Sequence, residues 1–213
     1  MTRRVLATRN AGWARALARR LGRAGFRPNA VSIAGVVFAL GACGAFWFVP
    51  DAPAGLRTVL LIMAATAIQL RLLCNLLDGM LAVEEGFKSK TGDIYNDLPD
   101  RVADVLILVG AGSAMRHLAY GSTLGWLAAV MAVFTAYVRL LGGSLDMTQH
   151  FIGPMAKQHR MFTLTIATLL SAVETTLGMP LRAMRVGLGL IVAGSIVTVC
   201  RRTQRIIREA EAR

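Results

Sequence analysis

The chain has 213 residues, 55% of them hydrophobic, with mean hydropathy +0.54 and a formal net charge of +12. A soluble domain carries less apolar material, and here it falls in long runs, so a water-soluble globule is excluded. The expectation is an all-α integral membrane protein with little soluble mass.

Residues 1–27 form a basic arm. Within it RNAGWARALARRLGRA, residues 9–24, places Trp13, Leu17 and Leu21 at helical spacing, with Arg15, Arg19 and Arg23 opposite. This predicts an amphipathic juxtamembrane helix whose arginines meet lipid phosphates; the alternative is a solvated basic tail. The arm lacks the apolar stretch of a secretory signal, so no cleavage is expected. Pro28 and Asn29 then break the chain before the first span.

Residues 28–213 are expected to form one membrane domain of six transmembrane helices. The apolar runs are roughly Val31–Val49, Thr58–Val83, Val102–Met115, Leu124–Leu141, Phe162–Leu177 and Met184–Cys200. The third and fifth fall short of the roughly 18–20 residues a span needs and must recruit their flanks. Short turns are expected at Gly121–Ser122 and Met179–Pro180. There is no internal repeat and no separate domain. Cys43, Cys74 and Cys200 all sit in apolar runs, which reads as packing and not as a disulfide framework.

The positive charges sort by loop. Nineteen Lys and Arg fall on the side shared by the termini, and only Arg57, Arg116, Arg182 and Arg185 on the other. The positive-inside rule therefore places both termini in the cytoplasm of a cell (inner) membrane protein. The basic excess faces anionic membrane lipids, which leaves no call for nucleic acid as a partner.

One polar stretch interrupts this pattern. NLLDGMLAVEEGFKSKTGDIYNDLPD, residues 75–100, closes the second run and precedes the third. Asn75 and Asp78 are three apart and share a helix face; Asn96 and Asp100 are four apart and share another. Consecutive antiparallel spans are usually neighbours, so four oxygen-bearing side chains are expected to converge at the cytoplasmic boundary. Ionisable residues at a membrane helix end are functional candidates by default. Oxygen ligands without His or Cys suit a hard divalent cation that is presented to phosphates.

The spacing Asn75-x2-Asp78-Gly79-x2-Ala82-Val83-x8-Gly92-x3-Asn96-x3-Asp100 resembles the signature of the CDP-alcohol phosphotransferases, D-x2-D-G-x2-A-R-x8-G-x3-D-x3-D. Every interval matches, and the likeness in span number extends over most of the chain. The resemblance implies transfer of a phosphatidyl group from CDP-diacylglycerol to an alcohol acceptor with release of CMP, in phospholipid biosynthesis. It implies Mg2+ or Mn2+ at Asn75, Asp78, Asn96 and Asp100, with Asp100 as general base. Gly79, Ala82 and Gly92 would line the CDP pocket, and the family's habit points to a homodimer.

This sequence departs from the signature in three places. Asn75 and Asn96 stand where it has aspartates, and Val83 where it has arginine. Glu84, Glu85, Asp93, Asp97 and Asp104 lie nearby as compensating acids. Because Asp100 is retained, an active enzyme is favoured over the alternative, a non-catalytic CDP-lipid-binding membrane protein with a degenerate metal site. A transporter would place its polar breaks at mid-bilayer. Arg139, Lys157 and Arg160 form a candidate cationic pocket for an acceptor phosphate such as that of glycerol 3-phosphate, or else ordinary positive-inside anchors. Arg71 shares the face of Asn75 and Asp78 and is expected to pair with Asp78 or to reach the acceptor. His150 and His159 lack metal-ligand spacing. Asp146 would serve the same pocket or cap a helix. Glu174 is expected to snorkel or to pair with Arg182 or Arg185.

Overall fold

The structure, a computed structural model, describes residues 12–84, 92–145, 147 and 152–212. Among them helix is the only extended regular structure, in the order α1 (Gly12–Arg23), α2 (Pro28–Phe48), α3 (Ala54–Glu84), α4 (Gly92–Ser113), α5 (Gly121–Ser144), α6 (Lys157–Thr176) and α7 (Arg182–Glu211). Pro28 opens α2 at its first turn, where a missing N–H costs nothing. Gly178, at φ +68°, ends α6: its own N–H reaches the Thr175 carbonyl at 3.1 Å and the Met179 N–H reaches Glu174 O at 2.8 Å. The basic segment after Cys200 is no loose tail, because α7 continues through it to Glu211.

Four helices are long and apolar enough to cross a bilayer: Pro28–Asp51, Ala54–Ala82, Gly121–Ser144 and Arg182–Glu211. The helices on the two short runs, α4 and α6, are not apolar enough by the same measure. Their lengths of 22 and 20 residues give about 30 Å each at 1.5 Å per residue. They reach that length by recruiting polar flanks, Gly92–Arg101 and Lys157–Met161.

The helices form three hairpins, α2–α3, α4–α5 and α6–α7, closed by short turns at one end of the bundle. The hairpins join through α2 on α4, α3 on α6 and α5 on α7. The result is a closed ring in the order α2, α3, α6, α7, α5, α4. The expected neighbours α3 and α4 do not pack along their lengths; α2 lies against both, and the two meet mainly through polar side chains.

Side-chain size explains the ring. Small residues such as Ala39, Ala42, Ala64, Ala111, Ala128 and Ala132 are buried, whereas Val37, Leu40, Trp47, Ile62, Trp126 and Phe162 face outward. Helices in hydrocarbon gain nothing by hiding large apolar groups and gain by close backbone approach. A close approach is α4 on α5: a Cβ on Gly112 would lie 2.6 Å from the Gly125 Cα. A face this apolar would not be left to water.

The arm helix α1 packs on α3. Ala14 and Ala18 are buried against Leu77, Met80 and Leu81, with Leu17 and Leu21 partly covered. Trp13, on the same stripe, is exposed. The alanines lie about 100–140° round from it and set the docking face because they let the helix come close.

At the hairpin-turn end, Arg116 pairs with Asp51, donates to the Trp47 carbonyl at 2.6 Å and lies over the Trp47 ring. Glu174 pairs with neither Arg182 nor Arg185 here. Its carboxylate accepts the Ala183 backbone N–H at 3.0 and 3.1 Å, capping α7 from the neighbouring helix.

Candidate active site

The antiparallel order of the hairpins brings one end of every ring helix to the end opposite the short turns. Ser32 comes from the start of α2, Arg71, Asn75 and Asp78 from the last turns of α3, and Asp97, Asp100, Arg101 and Asp104 from the start of α4. Thr135 and Arg139 come from the end of α5, Lys157 and Arg160 from the start of α6, and Arg202 from the last third of α7. They form one polar layer.

Its buried centre is Asp104, which with Arg71 and Arg160 is only 1% exposed. Asp104 Oδ1 accepts from Arg71 at 2.9 Å and Oδ2 from Arg160 at 3.0 Å. Arg160 also donates to Thr135 Oγ1 at 2.9 Å, and Arg202 to the Thr135 carbonyl at 2.6 Å. Asp104, Arg71 and Arg160 each have an opposite charge in hydrogen-bond contact, which is the condition for burying them. Arg160 is therefore a wall of the site, not an open acceptor contact.

Next to this centre, Asp100 is 16% exposed and bound on both oxygens. Arg71 donates to Oδ1 at 3.2 Å and Asn75 Nδ2 donates to Oδ1 at 3.0 Å. Lys157 Nζ is hydrogen-bonded to Oδ2, and also donates to Asn75 Oδ1 at 2.8 Å. Arg71 thus serves Asp100 and Asp104, not Asp78, which was one of its two expected partners. Asp78 faces α2 instead, accepting from Ser32 Oγ at 2.7 Å on Oδ2, while its buried Oδ1 has no partner among the described residues. Asp97 pairs with Arg139 at 2.8 Å and lies 3.8 Å from Arg101.

Of the four signature positions, Asn75, Asp78 and Asp100 surround one small cavity of about 10 Å3, lined also by Ser32, Arg71 and Pro99. The side chain of Asn96 lies outside the described residues, as do those of Val83, Glu84, Glu85, Asp93, Asp146 and His150. Gly79 and Ala82 follow Asp78 on α3, and Gly92 opens α4. Arg139, Lys157 and Arg160 do not share an open pocket: each is bound to a different carboxylate, Asp97, Asp100 and Asp104. A larger cavity, about 290 Å3, opens between residues 152–153 and the Arg201, Gln204, Arg205 and Arg208 side chains of α7. Exposed His159 lies 3.0 Å from the Pro154 carbonyl through Nδ1.

The described side chains do not fit a divalent cation in this arrangement. Mg2+ needs six oxygens near 2.1 Å and keeps several waters; of the carboxylates lining the cavity, Asp78 and Asp100, one oxygen, Asp78 Oδ1, is uncommitted, beside a space with room for about one water. No group of three or more Asp, Glu, His or Cys side chains converges on a common point among the described residues. The local charge points the same way. Among the described residues, Asp78, Asp97, Asp100 and Asp104 are already outnumbered by Arg71, Arg101, Arg139, Lys157 and Arg160.

Reading along the sequence identified Asn75, Asp78 and Asp100, but not Ser32, Thr135 or Arg202. Ser32 carried no signal beyond its place in the first turn of α2. Arg202 was one of several arginines in a basic segment, and only its position on a continuing helix distinguishes it.

No protein-family model matches the chain, and no curated protein matches it by sequence. Solved structures do match by shape. Three are of phosphatidylinositol phosphate synthase from Mycobacterium tuberculosis, each 20% identical to this chain. The form with CDP-DAG bound gives a TM-score of 0.76 over 92% of this chain and 94% of that one. The form in complex with manganese and citrate gives 0.75 over 91% and 88%, and the apo form 0.72 over 89% and 93%. This chain therefore has the fold of a phosphatidylinositol phosphate synthase, over nearly the whole of both lengths.

Proposed function

We propose that the chain is a phosphatidyl transferase of the CDP-alcohol type, with CDP-diacylglycerol as donor and an alcohol as acceptor. The observation that carries this reading is the polar layer. All six ring helices send side chains to one end, and cations exceed carboxylates among the described ones. An excess of positive charge held in place suits a pyrophosphate and the charge that develops as CMP leaves. Asn75, Asp78 and Asp100 of the spaced pattern lie within that layer, and the fold is shared with a synthase solved with CDP-DAG. With both termini cytoplasmic, the layer lies at the cytoplasmic face of the membrane.

In this reading the acceptor oxygen bonds to the lipid-bearing phosphorus and the bridging oxygen departs with CMP. Asp100 takes the acceptor proton. It is free to do so once Lys157 exchanges its carboxylate for the donor phosphates. Arg71 holds Asp100 in place from below, and the Asp104–Arg160 pair fixes Arg71. Gly79, Ala82 and Gly92, carrying no more than a methyl group, line the cytidine. The acceptor approaches from the side of Arg139 and the arginine-lined cavity on α7, which favours a phosphorylated alcohol such as glycerol 3-phosphate.

The test is CMP release from CDP-diacylglycerol by the purified protein, across a panel of alcohols and alcohol phosphates. Turnover with one acceptor, and its loss in Asp100→Asn, is expected. Turnover that survives Asp100→Asn would refute the assignment of the base. The three contacts that occupy Asp100 favour one second reading, a CDP-lipid-binding protein without turnover. It predicts donor binding with no CMP for any acceptor.

A further inference from the structure

We propose that the Lys157 ammonium is the resident cation of this site, standing where the signature's pattern would place a divalent metal, so that the donor pyrophosphate is held without a metal ion. The proposal deepens the transferase reading and rests on it only for the identity of the anion.

Three observations carry it. First, Lys157 Nζ lies between two signature side chains, on Asn75 Oδ1 at 2.8 Å and on Asp100 Oδ2. A primary ammonium is a point charge with three donors and takes oxygen ligands as a metal does, at longer range. Second, Asn75 fits an ammonium site and not a metal site. Its oxygen accepts from Lys157 while its Nδ2 donates to Asp100 Oδ1 at 3.0 Å. An aspartate at position 75 has no such donor and would repel Asp100 unless a cation of higher charge stood between them. The amide lets the two side chains touch directly.

Third, the charges match. Replacing two signature aspartates by Asn75 and Asn96 removes two negative charges. Among the described residues a divalent ion added to the layer would join six cations already facing four carboxylates, of which Asp100 is 16% and Asp104 1% exposed. Burying charge that is not neutralised is strongly unfavourable. A single ammonium costs the site one charge, and its tether to α6 removes the need to recruit it from solution. Lys157 sits at the first turn of α6, where its chain is long enough to swing from Asp100 to an incoming phosphate while its backbone stays fixed.

The test uses the full-length protein in nanodiscs of zwitterionic lipid, with Mn2+ titrated in and the free ion read by electron paramagnetic resonance. The wild type is expected to show no saturable uptake. The Asn75→Asp/Asn96→Asp/Lys157→Met variant, with two more anionic ligands and no resident ammonium, is expected to gain saturable Mn2+ uptake. One Mn2+ per chain in the wild type, lost in Asp78→Asn and untouched by Lys157→Met, would overturn the proposal; that arm decides even if the triple variant does not fold. A second readout is the thermal shift produced by CDP-diacylglycerol in EDTA. It is expected to persist in the wild type and in Lys157→Arg and to vanish in Lys157→Met. Donor binding abolished by EDTA but kept by Lys157→Met would overturn the proposal. CMP release separates the two ideas: a wild type without Mn2+ uptake and without CMP keeps the cation and removes the transferase. CMP release that strictly requires Mn2+ does the reverse.

Discussion

Asp104→Asn tests the buried centre of the polar layer. Asp104 is 1% exposed and holds two guanidinium groups, themselves 1% exposed, at 2.9 and 3.0 Å. An asparagine keeps one acceptor oxygen and turns an NH2 donor toward the second arginine. Arg71 still has Asp100 at 3.2 Å, so the uncompensated charge falls on Arg160, whose remaining partners are the neutral Thr135 and the Met155 carbonyl. Breaking a buried pair from one side costs about 3–5 kcal/mol, a large share of a total stability of about 5–15 kcal/mol. Reversible unfolding in mixed micelles, followed by the fluorescence of Trp47 and Trp126, measures it. Because the cost resides in the stranded Arg160, adding Arg160→Met should recover about 1–3 kcal/mol of it. A loss below about 1 kcal/mol in the single variant would refute the reasoning. So would a double variant less stable than the single one.

Two glycine substitutions should move stability in opposite directions. At Gly112 a Cβ meets the Gly125 Cα at 2.6 Å, so Gly112→Ala must part α4 from α5 at about 1–3 kcal/mol. At Gly44 nothing lies within 4 Å, so Gly44→Ala should stabilise α2 by up to about 1 kcal/mol; the same unfolding assay reads both. Glu174→Ala removes the cap on α7 and should cost about 1 kcal/mol, with faster hydrogen exchange at Ala183 and Met184 as the local sign.

The helices and their order along the chain were legible because long apolar runs have one folding solution in hydrocarbon, namely helix, although four of them, not six, are long and apolar enough to cross a bilayer among the described residues. Their lengths were legible to within a few residues for α2, α3 and α5, where apolar composition and helix end together. They were less so for α4 and α6, where the helix runs on into Asp97, Asp100, Lys157 and Arg160. Those residues are charged yet face the inside of the ring, and periodicity along one helix cannot show what a charge meets on another. The same limit explains Arg71. Its spacing put it on the face of Asp78, but the partner it takes is set by α4, across the bundle. Neighbourhood along the chain misled for α3 and α4, since α2 intervenes between them. Lys157 in contact with Asn75, 82 residues away, left no trace in either local pattern.

The three-hairpin plan has a consequence for how the protein can be cut. Each hairpin carries its own short turn, and the helix ends from which one hairpin passes to the next, Glu84 and Gly92, Ser144 and Lys157, lie at the end with the polar layer. Breaking the chain between either pair severs no hairpin. Fragments 1–88 and 89–213, co-expressed, should therefore find each other in the membrane through the α2–α4 and α3–α6 seams. A break within the turn at Ala114–Tyr120 should defeat reassembly, because it divides α4 from α5 at their closest approach.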